Sequence, residues 1–98
     1  MNLAKYIKAR VIALEHRYYG ESQPRLDWTY SNLRWLTADQ ALADIANFCA
    51  SLVTGKRVIT IGGSYPGAMS SWFRNKYPHI ALGALASSAV VDAVYDFY

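Results

Sequence analysis

The sequence predicts an α/β fold in which parallel strands alternate with helices. Three short apolar runs, at residues 11–14, 58–61 and 80–86, have the length and composition of fully buried strands. A segment with helical features lies between each pair of consecutive runs, so the order is strand, helix, strand, helix, strand. This order is typical of a parallel sheet that is covered by helices and connected by right-handed crossovers.

The first helix is predicted to begin just after Thr37 and to end at Gly55. Thr37 and Gln40 have the spacing of a capping box, in which the threonine side chain accepts a hydrogen bond from a free backbone N–H. Glycine can adopt the left-handed conformation that often ends a helix. Between them, apolar residues recur at spacings of three and four and mark the buried face: Leu42, Ile45, Ala46, Cys49, Leu52 and Val53.

The second helix is predicted over residues 66–76, between the second and third strands. Pro66 is well tolerated in the first turn of a helix, where its missing N–H has no partner to lose. Pro78 disfavours helical geometry at Tyr77 and so marks the end of the helix. Before the first helix, residues 15–24 are mostly polar and contain Gly20 and Pro24, which predicts a loop.

Length and composition exclude several classes of protein. With 98 residues, of which 53% are hydrophobic and 17% charged, the chain fits one small domain and is too apolar for a disordered tail. No apolar run reaches the roughly 18 residues that a membrane span needs, so we expect no membrane partner. The net charge of +3 comes from scattered basic residues, which argues against a nucleic-acid partner. Cys49 is the single cysteine, and the first residues lack the features of a secretory signal, so the compartment stays open.

The candidate for chemistry is Ser64, in the sequence Gly62-Gly63-Ser64-Tyr65-Pro66-Gly67 at the predicted junction of a strand and a helix. A serine on such a sharp turn projects its hydroxyl above the sheet, and a Cβ at Gly62 would collide with the helix. The backbone N–H of Tyr65 would then point to the position of an oxyanion. The motif departs from G-x-S-x-G, because Pro66 stands where the second glycine is usual. A glycine-rich turn without chemistry, or one that binds phosphate, is the alternative, although a phosphate loop has more glycines and a lysine.

A nucleophilic serine needs a base, and the sequence offers only His16 and His79. His79 follows the second helix, which at about 1.5 Å per residue places it more than about 15 Å from Ser64. His16 follows the first predicted strand, where a loop histidine bonded to its neighbours is the more ordinary interpretation. Where a serine lies on such a turn between a strand and a helix, the acid and then the histidine usually follow it in the chain. Here Asp92 and Asp96 are the only acids after Ser64, and no histidine follows either of them. We therefore expect neither histidine to be the base.

Several motifs in one order resemble a known family. They are EHRYYGES at 15–22, NLRWLT at 32–37, QALAD at 40–44, GGSY at 62–65, WFR at 72–74 and KYPH at 76–79. The chain resembles, from about residue 4 to residue 98, the serine carboxypeptidase family of lysosomal Pro-Xaa carboxypeptidase, dipeptidyl peptidase II and thymus-specific serine protease. The pattern of that family, G-G-S-Y-x-G, accommodates Pro66.

The resemblance implies part of an α/β-hydrolase core that lacks the N-terminal strands, the helical cap and the C-terminal triad region. Ser64 then matches the nucleophile, Tyr65 the oxyanion-hole amide, and Ala68 a position that lines the specificity pocket. The catalytic Asp and His of the family would lie beyond Tyr98. The implied activity is cleavage of a peptide bond after proline or a small residue near a chain end, in a lysosome, in a vacuole or after secretion.

Two other functions stay open at this point. The turn around Ser64 by itself permits an esterase or lipase, although the motifs at 15–20 and 32–37 argue against one. The chain could also be a non-catalytic truncated product or an interaction module, and in either case the isolated chain is expected to be inactive. We expect no cofactor and no metal, and a peptide substrate in the full-length enzyme; the oligomeric state stays open.

Overall fold

The protein is described by a computed structural model that covers residues 2–96. Its backbone forms two compact units, the first ending at Leu36 and the second starting at Thr37. The first unit contains the helix α1 (Asn2–Tyr6) and a single 3-10 turn (Leu33–Trp35). The second unit contains α2 (Ala38–Leu52), β1 (Val58–Gly63), α3 (Tyr65–Lys76) and β2 (Ala81–Ser87). None of these helices is long and apolar enough to cross a membrane.

The loop predicted at residues 15–24 is held together by hydrogen bonds to one carboxylate. Glu15 Oε2 accepts from the backbone N–H of Ser22 at 2.9 Å and from that of Glu21 at 3.2 Å. Gly20 has a φ of +51°, and a Cβ there would lie 1.8 Å from Glu15 Oε1. The positive φ favours glycine at this position, and a side chain there would also have to displace the carboxylate end of Glu15.

Three arginines converge on Trp35 in the same unit. Arg17 Nη1 donates to the Trp35 carbonyl at 2.9 Å. The guanidinium carbons of Arg34 and Arg25 lie 4.1 and 4.8 Å from the Trp35 ring, both within the range of a cation–π contact. These contacts order the chain just before α2 through side chains rather than through regular secondary structure.

The strand predicted at residues 11–14 is absent, and that prediction is wrong for the chain that the structure describes. These residues have no regular secondary structure, and Val11, Ile12 and Leu14 are exposed. An extended segment becomes a strand only by pairing its N–H and C=O groups with another strand. The first unit contains no strand in its described residues, so the apolar run has no partner there.

The helix α2 confirms the predicted capping bond to Thr37 and most of the predicted buried face. Thr37 Oγ1 accepts from the backbone N–H of Gln40 at 3.2 Å, and Gly55 has a φ of +73°. Leu52 differs from the prediction, because 66% of it is exposed in the last turn of the helix. The core of the second unit is formed by Ala41, Leu42 and Cys49 of α2, Met69 and Phe73 of α3, and Ala81 of β2.

The two strands form a parallel sheet, and α3 connects them and packs on both. The register pairs Val58 with Ala81 at one end and Gly63 with Ser87 at the other. Both strands and α3 lie within two residues of their predicted bounds, whereas α2 ends at Leu52, three residues before the predicted end at Gly55. The parallel pairing and the helical crossover confirm the α/β class for this unit.

Among residues 2–96, helices cover only one face of the sheet, which corrects the expectation of strands buried on both faces. The helix α3 packs on the sheet and α2 packs on α3, so both lie on the same side. On the other face Ile59, Ile61 and Leu85 are each between 54% and 58% exposed. Apolar side chains of this size are stabilised by roughly 1.5–3 kcal/mol each when fully buried, so most of that stabilisation is not gained here.

We therefore expect the 98-residue chain to aggregate or to unfold without a sharp transition. The exposed face of the sheet and the free edges of a two-stranded sheet both favour association with other chains. Size-exclusion chromatography and calorimetry measure the outcome. Burial raises the pKa of the Cys49 thiol, so slow alkylation of this residue reports a closed core. A monomer with a sharp cooperative transition and a protected Cys49 would contradict the expectation.

Candidate active site

Ser64 lies in the tight turn that the sequence predicts. It is the single residue between β1, which ends at Gly63, and α3, which begins at Tyr65. It is exposed, and its hydroxyl has no hydrogen-bond partner among residues 2–96. The carboxyl end of a parallel strand is where open α/β sheets bind ligands, so the serine stands where chemistry is expected.

The turn requires a glycine at position 62. A Cβ on Gly62 would lie 2.2 Å from the Pro66 carbonyl oxygen, 2.3 Å from its carbonyl carbon and 2.7 Å from the Gly67 nitrogen. Real Cβ atoms do not approach backbone atoms so closely. The first turn of α3 thus crosses directly over the end of β1, which confirms the collision predicted from the sequence.

The backbone of Ser64 is held in an uncommon conformation by hydrogen bonds on both sides. Its φ of 57° and ψ of −126° lie outside the regions that non-glycine residues normally occupy. Its N–H donates to the Ser87 carbonyl at 3.0 Å, and its carbonyl accepts from the Ala68 N–H at 3.1 Å. The neighbouring strand and the first turn of α3 together hold the strained residue in place.

Tyr65 lies at the start of α3, whereas Ala68 is buried one turn later. Tyr65 is the first residue of α3, so its backbone N–H belongs to the positive end of the helix dipole. Its ring packs edge-on against Trp72, with 6.5 Å between the ring centroids. Ala68 lies one turn into α3 and is 0% exposed, so its methyl group is buried in the described chain. Its role in a specificity pocket stays a prediction.

His79 lies after the end of α3, whereas Ser64 precedes its start. The 12 residues of that helix span about 18 Å, and the His79 ring instead contacts Tyr77 at 6.1 Å. His16 belongs to the first unit, where its Nδ1 pairs with the Arg17 carbonyl at 2.7 Å and its ring contacts Tyr19. Asp92 and Asp96 are exposed residues after β2. The expectation that neither histidine is the base stays a prediction.

Sequence reasoning missed the contribution of Ser87. Its carbonyl is the acceptor for the Ser64 amide, which only the register between the two strands reveals. The small residues at the end of the third predicted strand were a weak signal, because small side chains permit a close approach of backbones. Among residues 2–96 no group of three His, Cys, Asp or Glu side chains is arranged to hold a metal ion.

Comparison with known proteins decides the family. A model of the family described as serine carboxypeptidase S28 matches residues 1–98. The chain belongs to the S28 family. This confirms the resemblance that the six motifs indicate.

Curated relatives match this S28 chain along almost the whole of its 98 residues. It is 45% identical to Probable serine protease EDA2 of Arabidopsis thaliana over 97% of the chain and 22% of that protein. It is 44% identical to human Lysosomal Pro-X carboxypeptidase over 92% of the chain and 20% of that protein. It is 44% identical to Prolyl carboxy peptidase like protein 5 of Caenorhabditis elegans over 98% of the chain and 23% of that protein. The chain thus spans about a fifth of the length of these relatives.

Proposed function

We propose that this chain carries the nucleophile of a serine exopeptidase that cleaves after proline or a small residue near a peptide end. The observation that supports the proposal most is the geometry of Ser64, an exposed serine with a φ of 57° between a parallel strand and a helix. Strained non-glycine residues cluster at functional sites, because the strain persists only where the surrounding structure holds it. The S28 family and the names of its members supply the class of reaction.

The chemistry proposed for Ser64 is acyl transfer. Its Oγ attacks the carbonyl carbon of the scissile bond and gives its proton to a histidine base. The bond from carbon to nitrogen then breaks, the amine leaves with that proton, and water hydrolyses the acyl-enzyme. By family resemblance, the base and its aspartate partner come from outside the 98 residues.

The proposed oxyanion donor is the backbone N–H of Tyr65. It belongs to the residue after the nucleophile and to the first turn of α3, where the helix dipole favours negative charge. The N–H of Ser64 itself donates to Ser87 and is directed into the sheet. By its name, human Lysosomal Pro-X carboxypeptidase acts in the lysosome, and we propose that compartment and a peptide substrate for this chain too.

A chimera tests the proposal without relying on the isolated chain. The 98 residues replace the matching segment of human Lysosomal Pro-X carboxypeptidase, to which they are 44% identical. We expect the chimera to release the last residue of a peptide ending in Pro-Phe. The Ser64→Ala variant should lose this activity by about 10⁴-fold or more, since the nucleophile is removed.

The control for this variant is Ser51→Ala. Ser51 is also an exposed serine, but it lies in α2 and donates only to the Asn47 carbonyl, so activity should stay within twofold. A folded chimera that cleaves the peptide equally well with and without Ser64→Ala would refute the proposed nucleophile. A folded chimera without any activity would refute the proposed function.

A further inference from the structure

A second strained serine lies beside the candidate nucleophile. Ser88 has a φ of 47°, in the same left-handed range as the 57° of Ser64. Serine adopts positive φ much less readily than glycine, so such a residue stores backbone strain. Each of the two strands in the sheet is followed directly by a strained serine.

The register of the sheet places these two serines next to each other. Gly63 pairs with Ser87 as the last residues of β1 and β2, so Ser64 and Ser88 are the next residues on adjacent strands. The hydrogen bond of 3.0 Å from the Ser64 N–H to the Ser87 carbonyl continues the pairing by one step. Neighbouring strands lie about 4.8 Å apart, which is close enough for both side chains to contact one residue of a bound peptide.

Both serines are accessible to a ligand. Each is exposed, and neither hydroxyl has a hydrogen-bond partner among residues 2–96. A structural turn residue that is not glycine commonly uses its side chain to bond nearby backbone groups. Ser88 makes no such bond within the described chain. A hydrogen bond from its side chain to the local backbone therefore does not explain why a serine occupies this strained position.

We propose that Ser88 is a substrate-binding residue whose hydroxyl donates a hydrogen bond to a backbone carbonyl of the peptide substrate, beside the scissile bond. This inference rests on the proposed function of Ser64. A peptide backbone offers carbonyl acceptors at regular intervals, so a hydroxyl one strand away from the nucleophile can fix the register of the bound chain. Such a contact is present both in the bound substrate and in the transition state.

Two substitutions in the chimera separate the hydroxyl from the backbone conformation. Ser88→Ala removes the hydroxyl and keeps the strain, whereas Ser88→Gly removes the hydroxyl and relieves the strain. Because a hydrogen bond to substrate is lost in both variants, we expect the KM for the Pro-Phe peptide to rise about three- to tenfold in each. The kcat should stay within about twofold, and Ser51→Ala should change neither constant.

A purely structural role for Ser88 gives a different result. Ser88→Gly would then keep the KM of the unsubstituted chimera, because glycine adopts positive φ without strain, and the proposal would be overturned. Calorimetry can measure the binding of the Pro-Phe peptide to the inactive Ser64→Ala chimera, and this measurement does not depend on turnover. Adding Ser88→Gly should raise the Kd for the same peptide three- to tenfold. An unchanged Kd, or no binding before the substitution, overturns the role of Ser88, whereas loss of catalysis alone counts only against Ser64.

Discussion

The isolated 98-residue chain should react with a fluorophosphonate probe at least about 10³-fold more slowly than the chimera. A serine hydroxyl is a weak nucleophile unless a base takes its proton, and the Ser64 hydroxyl has no partner among residues 2–96. Removing triad partners from serine hydrolases costs several powers of ten in rate. Cleavage of proline-containing peptides by the isolated chain should be undetectable for the same reason.

Mass spectrometry after timed exposure to the probe measures the rate of labelling and the residue that is labelled. The Ser64→Ala variant of the isolated chain is the control for labelling at other residues. Fast labelling of the isolated chain that disappears in Ser64→Ala would contradict this expectation. It would indicate His16 or a second copy of the chain as the source of the base. A labelling rate that rises with protein concentration would indicate the second copy, because only that source requires association.

Among the glycines of the second unit, Gly62 should be the one whose substitution by alanine is most damaging, because its added Cβ makes the shortest contacts. The new Cβ would lie 2.2–2.7 Å from backbone atoms of Pro66 and Gly67, which cannot move without displacing the first turn of α3. Overpacking of this kind costs about 1–3 kcal/mol of folding free energy and sometimes more. A shift of about 1 Å at the nucleophile can also reduce the rate about 100-fold.

Gly83→Ala is the matched control, because it adds the same methyl group to the neighbouring strand. A Cβ on Gly83 meets nothing within 4 Å, and an alanine in a strand is favoured over glycine by roughly 0.5–1 kcal/mol. In the chimera, we expect thermal unfolding and peptidase rate to be close to normal for Gly83→Ala and strongly reduced for Gly62→Ala. Equal behaviour of the two variants would show that α3 does not cross β1 as closely as described.

Much of the second unit can be predicted from the sequence because its determinants are local. Thr37 and Gln40 mark the start of α2 through a bond between residues three positions apart. Pro66 and Pro78 delimit α3 through their own backbone restrictions. The glycines before Ser64 predict the sharp turn, since only residues without a Cβ permit so close a crossing. The candidate nucleophile could therefore be assigned without coordinates.

The remaining features depend on which segments pair and pack, and only the tertiary structure shows them. Residues 11–14 have the composition of a strand but form none, because a strand exists only with a partner. The apolar residues Ile61 and Leu85 predict burial but lie on an uncovered face, because both helices of the unit are on the other side. Ser88 lies 24 positions after Ser64, and it becomes a neighbour only through the register of β1 and β2. Local chemistry specifies turns and caps, whereas contacts between distant segments require the assembled sheet.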